Sequence, residues 1–88
     1  MNYTVLWLPD VEQELAGIWA DTDDQRSVTE AANEIERLLK RDPAKAGESR
    51  PNGRRILLVS PLGIIFRVNE LDRVVTVSNI WEYRTRPS

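Results

Sequence analysis

The 88-residue chain contains neither cysteine nor histidine. Without cysteine it has no disulfide framework and no thiolate chemistry, and without histidine it lacks the commonest metal ligand and the commonest general base. No apolar run approaches the roughly 20 residues that a membrane-spanning helix needs, and no basic segment followed by an apolar one opens the chain. These absences predict a cytoplasmic protein that uses no metal or cofactor and has no membrane partner.

What the chain does contain predicts one small domain over residues 1–88. Hydrophobic residues make up 41% of the sequence, which is typical of a globular chain and argues against disorder. A chain of this length can bury a core and fold alone, although without a large margin of stability. No internal repeat or low-complexity segment interrupts it.

Charge is distributed unevenly along the chain. The formal net charge is −2, but residues 1–49 carry 11 acidic and 5 basic residues (−6), whereas residues 50–88 carry 3 acidic and 7 basic ones (+4). All seven of these cations are arginine, whose planar guanidinium suits phosphate and carboxylate groups. Either the two halves attract each other, or the arginine-rich half binds an anionic partner.

Three runs rich in β-branched residues dominate the second half. They comprise residues 55–59, 64–68 and 74–81. Such short connections predict an antiparallel meander, because parallel strands would need a crossover of a dozen or more residues. Strict alternation along the third run would place Val75, Val77, Asn79 and Trp81 on one face, and Trp81 is expected in the core.

Two helices are predicted upstream, at about residues 10–20 and 25–41. The second has apolar residues at helical spacing, and Asp24 is its expected N-cap. That stripe comprises Val28, Ala31, Ala32, Ile35, Leu38 and Leu39. Residues 42–53 are interpreted as a loop, and residues 3–8 as a strand. The predicted order is therefore β-α-α-β-β-β, an α+β fold with a helical hairpin packed on one face of a small antiparallel sheet.

The residues that remain for chemistry are arginine, tyrosine and carboxylate. Arg67 follows Phe66, so if Phe66 packs under the helices, Arg67 faces outward with the other arginines and Tyr83. Arginines there can hold RNA phosphates and stabilise charge at a scissile phosphate, and a tyrosine can stack on a base or donate a proton. In the alternative interpretation, Arg67 pairs with Glu70 or Asp72, and Tyr83 is an edge-packing aromatic.

This hypothesis places five residues around one outward concave surface: Arg54, Arg55, Arg67, Tyr83 and Arg84. The predicted catalytic residues are Arg67, Tyr83 and Arg84, and the predicted RNA-binding residues are Arg50, Arg54 and Arg55. No metal ligand is assigned.

Several short motifs occur in a recognisable order. They are Tyr3-x-Val5-x-Trp7, the second-helix stripe running into Asp42-Pro43, Gly47-Glu48-x-Arg50, Arg54-Arg55, Pro61-Leu62-Gly63, Phe66-x-Val68 and Val74-Val75-x-Val77. Together with the element order they resemble the RelE/ParE superfamily of bacterial toxins over essentially the whole chain. The resemblance implies a cytoplasmic toxin that a small antitoxin wraps and neutralises, as a hetero-oligomer.

The resemblance implies two possible targets. RelE-like members cut mRNA in the ribosomal A site, using basic residues on the sheet and a C-terminal tyrosine or histidine, to which Arg84 and Tyr83 correspond in part. ParE-like members lack that set and act on DNA gyrase. Three functions therefore stay open: a ribosome-dependent mRNA endoribonuclease, a gyrase inhibitor without nuclease activity, and a non-toxic binding module.

Overall fold

A computed structural model of the chain describes residues 2–83. Two helices pack on one face of a five-stranded mixed sheet whose strand order is β1-β5-β4-β3-β2. The elements are β1 (Thr4–Trp7), α1 (Pro9–Asp21), α2 (Gln25–Arg41), β2 (Glu48–Arg50), β3 (Arg54–Val59), β4 (Leu62–Asn69) and β5 (Val74–Glu82). The predicted α+β architecture, with a helical hairpin on one sheet face and an antiparallel β3-β4-β5 meander, is confirmed.

The two helices begin where their first residues favour a helix. Pro9 opens α1, where its missing N–H costs nothing, and Asp10 and Glu12 lie in the first turn, where the helix dipole favours negative charge. Asp24 caps α2, as predicted, by accepting a hydrogen bond from the Ser27 backbone N–H at 3.1 Å. The short link between the helices turns α2 back beside α1, so both present their apolar stripes to the sheet.

The prediction of a wholly antiparallel sheet is wrong for β1. This strand pairs in parallel with β5, in a register that joins Thr4 to Val74 and Trp7 to Val77. Short connections dictate antiparallel pairing only between consecutive strands. Because the helices and the whole meander separate β1 from β5 in sequence, no connection rule constrains their relative direction.

The expectation of an unbroken loop over residues 42–53 is also wrong. Glu48 to Arg50 form a short edge strand antiparallel to β3. Asn52 and Gly53 in the connecting turn have φ angles of 67° and 74°. An Asn-Gly pair adopts this left-handed conformation readily and is a strong hairpin sequence.

A β-bulge in β5 overturns the expected alternation. Ile65 pairs with Asn79 but Phe66 pairs with Val77, so Ser78 has no partner in the register. Val77 therefore faces the helices, whereas Asn79 and Trp81 face the other way. Trp81 is half-buried on the open face of the sheet, against Gly63, rather than in the core.

The core lies between the helices and the sheet and is formed by one cluster of buried hydrophobic side chains. These are Val11, Val28, Ala31, Ile35, Leu39, Leu57, Leu62, Ile64, Phe66, Val75, Val77 and Ile80. No polar or charged side chain of the described residues is buried with them. Neither helix is long and apolar enough to cross a membrane.

Candidate functional site

A row of side chains crosses the sheet on the face that the helices leave open. The register places Arg50 opposite Arg54, Arg54 opposite Arg67, and Arg67 opposite Thr76, and the row ends at Leu6. We call Arg50, Arg54 and Arg67 the arginine row. Adjacent strands lie about 4.8 Å apart, so three arginines occupy about 10 Å across β2, β3 and β4.

Main-chain carbonyls hold two of these guanidinium groups. Arg67 donates through Nη1 to the Asn52 carbonyl at 2.6 Å, and Arg54 donates through Nε to the Pro51 carbonyl at 3.3 Å. Neither has a carboxylate partner among residues 2–83, so the alternative ion pair of Arg67 with Glu70 or Asp72 is not formed. The row thus keeps two uncompensated positive charges.

The third member of the row has a different partner. Arg50 lies 3.1 Å from a carboxylate oxygen of Glu48, two residues earlier on the same face of β2. The pair is largely exposed to solvent, so its net contribution to stability is small.

Arg55 does not belong to this surface. It pairs across the sheet with the buried Phe66 and therefore faces the helix side. Its Nε and Nη2 donate to the carbonyls of Ala46 and Gly47 at 3.0 and 3.1 Å, which fastens the chain ahead of β2. The expectation that Arg55 shares a surface with Arg54 and Arg67 is wrong, because adjacent strand residues point to opposite faces.

Tyr83 lies at the other end of β5. Its N–H donates to the Pro61 carbonyl at 2.8 Å. Arg67 is opposite Thr76 on β5. Tyr83 follows Thr76 by seven residues at about 3.3 Å each, so the backbones of Arg67 and Tyr83 lie about 20 Å apart. Within the described residues, Arg67 and Tyr83 are not brought together, and the catalytic roles of both stay predictions.

Arg84, the third predicted catalytic residue, lies outside the described residues. Around Tyr83 the structure instead forms a cavity of about 340 Å³ beside the link between the helices. It is lined by Thr22, Asp23, Asp24, Ser27, Ser60, Pro61, Glu82 and Tyr83. Three carboxylates and no arginine line this cavity, so it is no extension of the arginine row.

Two features escaped the sequence analysis. One is a cavity of about 620 Å³ at the end of the arginine row, lined by Gly53, Arg67, Val68, Asn69, Glu70, Leu71 and Thr76. Leu71, at the tip of the β4–β5 hairpin, is 98% exposed. An apolar residue between Glu70 and Asp72 in a polar turn was the only sequence sign of this feature.

The other is a groove of about 540 Å³ along α1 and α2, in which two indole rings are fixed by hydrogen bonds. Trp7 donates to Glu36 at 3.3 Å, and Trp19 donates to Thr29 at 3.1 Å. Trp19 is 45% exposed, so the groove presents aromatic surface to solvent.

Comparison with known proteins places the fold. No protein-family model matches the chain, and no curated protein matches its sequence. Among solved structures, the RelBE2 toxin–antitoxin complex from Mycobacterium tuberculosis matches with a TM-score of 0.76 and 15% identity, over 93% of this chain and 92% of that one. A chromosomal ParDE toxin–antitoxin system from P. aeruginosa matches with a TM-score of 0.70 and 17% identity, over 93% and 97%. The chain therefore has a RelE/ParE-like fold.

Proposed function

We propose that this protein is the toxin of a toxin–antitoxin module and that an acidic segment of its antitoxin covers the arginine row. The observation that carries the proposal is the row itself, on the sheet face that the helices leave open. Arg54 and Arg67 are oriented by neutral carbonyls rather than neutralised by carboxylates. Such groups favour an anionic chain, which gains affinity and on-rate from electrostatic complementarity.

The first experiment uses the protein encoded beside the gene for this chain. Induction of the chain alone should arrest growth, and coexpression of the adjacent protein should relieve the arrest. Affinity between the two purified proteins should fall as salt is raised, since the contacts are between exposed charges. Arg54→Ala should weaken binding, whereas Arg26→Ala, which removes an exposed arginine from α2, should not. Salt-insensitive binding, or a footprint confined to the acidic residues of 1–49, would contradict the proposal.

For the target, we favour inhibition by binding, with DNA gyrase as the ParE-like expectation. The supporting observation is the separation of about 20 Å between Arg67 and Tyr83, estimated from the strand rise. This backbone separation disfavours contact of both side chains with one scissile phosphate, and Arg55 is engaged on the opposite face. The described residues thus supply binding groups without an assembled set for proton transfer.

A second candidate, ribosome-dependent mRNA cleavage, is favoured by the arginine row alone. Three guanidinium groups spaced at strand intervals suit consecutive phosphates of one RNA strand. In this case Arg54→Ala should mainly weaken binding, whereas Tyr83→Phe and Arg84→Ala should mainly lower the cleavage rate, with the ribosome supplying the rest of the site.

One preparation of purified protein separates these candidates. It is assayed for mRNA cleavage on programmed ribosomes and for supercoiling by gyrase. Inhibition of gyrase without cleavage supports the favoured proposal. Cleavage without an effect on gyrase supports the second candidate. Neither activity, together with antitoxin binding, would leave a non-toxic binding module on this scaffold.

A further inference from the structure

The cavity at the end of the arginine row combines a cation with an exposed apolar side chain. Arg67 and Leu71 both line it. The guanidinium of Arg67 is held in place by its hydrogen bond to the Asn52 carbonyl. A single exposed leucine on a protein surface is ordinary, but here it borders a cavity of about 620 Å³ that also contains an oriented cation.

The turn that carries Leu71 is well built. The Asn69 side chain accepts a hydrogen bond from the Asp72 N–H at 3.1 Å. Arg73 has a φ of 55°, its carbonyl accepts from the Thr4 N–H at 2.9 Å, and its guanidinium lies 5.8 Å from the centre of the Tyr3 ring. The tip is therefore tied to β1 and presents Leu71 at a defined position. The backbone that carries Leu71 therefore needs little ordering when a partner binds.

Charge around the cavity selects the class of partner. Glu70 lines the cavity beside Leu71, and Asp72 follows Leu71 in the turn, so carboxylates accompany the apolar side chain, whereas Arg67 is cationic. A nucleic-acid strand would bring phosphates to both sides and meet the two carboxylates. A protein segment can place one carboxylate on Arg67 and an uncharged apolar side chain against Leu71.

We infer that this cavity receives a large apolar side chain of a partner protein, next to an aspartate or glutamate that pairs with Arg67. The inference deepens the proposed function, because the surface is the one that an antitoxin would cover, and it rests on that proposal for the identity of the partner. From Arg67 to the hairpin tip is about 10 Å, or roughly three residues of extended chain. The apolar anchor is therefore expected a few residues away from the carboxylate.

The test needs no antitoxin. An array of short peptides carries one glutamate and one leucine, phenylalanine or tryptophan at varied separation in a neutral polar background. Matched peptides replace the glutamate with lysine or the apolar residue with alanine, and a single-stranded RNA oligonucleotide is the nucleic-acid probe. Binding to the purified wild-type chain is measured by fluorescence anisotropy.

The wild-type protein should bind peptides that have both groups and lose about tenfold in affinity when either is replaced, the effect expected for one buried apolar side chain or one paired charge. Leu71→Ser should lose about as much. Leu58→Ser is the matched control, because Leu58 is also exposed on the open face but lies outside the cavity. Arg67→Gln should remove the preference for glutamate over lysine.

Three outcomes would overturn the assignment. They are absence of any peptide that depends on both groups, equal binding by the wild-type and Leu71→Ser proteins, and binding of RNA that depends on Leu71. If one of these occurs while the antitoxin experiment succeeds, only the cavity assignment fails. If the peptides bind as expected but expression arrests no growth, the proposed toxin function fails and the cavity stands as a protein-binding site.

Discussion

Charged side chains have different partners in the helical layer and on the open sheet face. In α2 each of the three carboxylates has a cation on its own helix, in the pairs Glu30–Arg26, Glu34–Arg37 and Glu36–Lys40. On the sheet face, Arg54 and Arg67 donate to main-chain carbonyls instead. A carboxylate neutralises a guanidinium, whereas a carbonyl only orients it. The sheet face can therefore be cationic in a chain whose net charge is −2.

The first helix extends the contrast. It carries four carboxylates and no basic residue, and none of the four has an ion-pair partner among residues 2–83. They are Asp10, Glu12, Glu14 and Asp21. Unpaired acidic groups thus lie on the helical side and unneutralised arginines on the sheet side. Local partners, rather than overall composition, decide which anionic or cationic molecules each side attracts.

The largest expected loss of stability comes from substitutions in the core rather than on either exposed side of the molecule. Ile35→Ala or Leu39→Ala should lower the free energy of unfolding by about 2–5 kcal/mol, because each side chain is completely buried and its loss leaves a cavity. Leu71→Ala removes a similar volume from a side chain that is 98% exposed, and should change stability by less than about 0.5 kcal/mol. Urea denaturation measures all three. A loss below about 1 kcal/mol at Ile35 would contradict its assigned burial.

The next largest difference in stability is expected between alanine substitutions at two glycines, one in the sheet and one in the helical layer. A Cβ at Gly63 would lie 2.5–2.7 Å from three atoms of the Trp81 indole, so Gly63→Ala should cost about 1–3 kcal/mol through overpacking. Gly17→Ala meets nothing within 4 Å in α1 and should stabilise by about 0.5–1 kcal/mol through helix propensity.

Thermal unfolding with tryptophan fluorescence follows both glycine variants. Combining Gly63→Ala with Trp81→Leu should recover part of the loss, since the indole is what the new methyl group meets. If the double variant recovers none of the lost stability, the added methyl group does not clash with the Trp81 indole.

Much of the fold was predictable because its elements obey local rules. The stripe of α2, the cap at Asp24 and the short connections of the meander each depend on residues close together in sequence. The direction of β1 depends on partners some 70 residues away, as the pairing of Thr4 with Val74 illustrates, and no local pattern encodes it. The bulge at Ser78 was unpredictable for a related reason, because it is a property of two paired strands.

The site was predictable only in part. Arg54 and Arg67 were correctly expected to face outward together, since strand alternation is a local property, whereas Arg50 was assigned to a loop and joins them through the unpredicted strand β2. Placing Arg55 with them ignored the same alternation. The distance between Arg67 and Tyr83 required the strand register, and the partners of Arg54 and Arg67 are backbone carbonyls that carry no sequence signature. The cavity beside Leu71 depends on the strand register and on the backbone hydrogen bond of Arg67 together.

Neighbouring arginines on β3 allow the two sides of the sheet to be tested separately. Arg55→Ala removes hydrogen bonds to the Ala46 and Gly47 carbonyls and should cost about 1–2 kcal/mol of stability. Arg54→Ala should cost less than about 0.5 kcal/mol but weaken binding to an acidic partner. Urea denaturation measures the stability losses, and titration with the purified protein encoded by the adjacent gene measures the binding loss. Equal stability losses for both variants would contradict the assignment of Arg55 to the helix side.

The smallest expected effect concerns a single charge in the helical layer. The Ser27 hydroxyl donates to Asp24 at 2.6 Å, and the Ser27 amide donates at 3.1 Å. These hydrogen bonds, the one from the side chain foremost, lower the pKa of Asp24 in the folded protein. The charged cap should therefore stabilise the fold above the unfolded-state pKa of about 3.9, and this contribution should disappear as pH falls through the lower folded-state value.

Asp24→Asn isolates that charge, because an asparagine side chain still accepts from the Ser27 amide but cannot ionise. Melting temperature measured between about pH 2 and pH 6 should depend less on pH in this variant than in the wild type, with the difference concentrated below about pH 4. Asp23→Asn, which removes an adjacent exposed carboxylate that does not cap α2, is the matched control for the loss of one negative charge. Identical pH profiles for Asp24→Asn and the wild type would mean that the cap acts through its acceptor geometry and not through its charge.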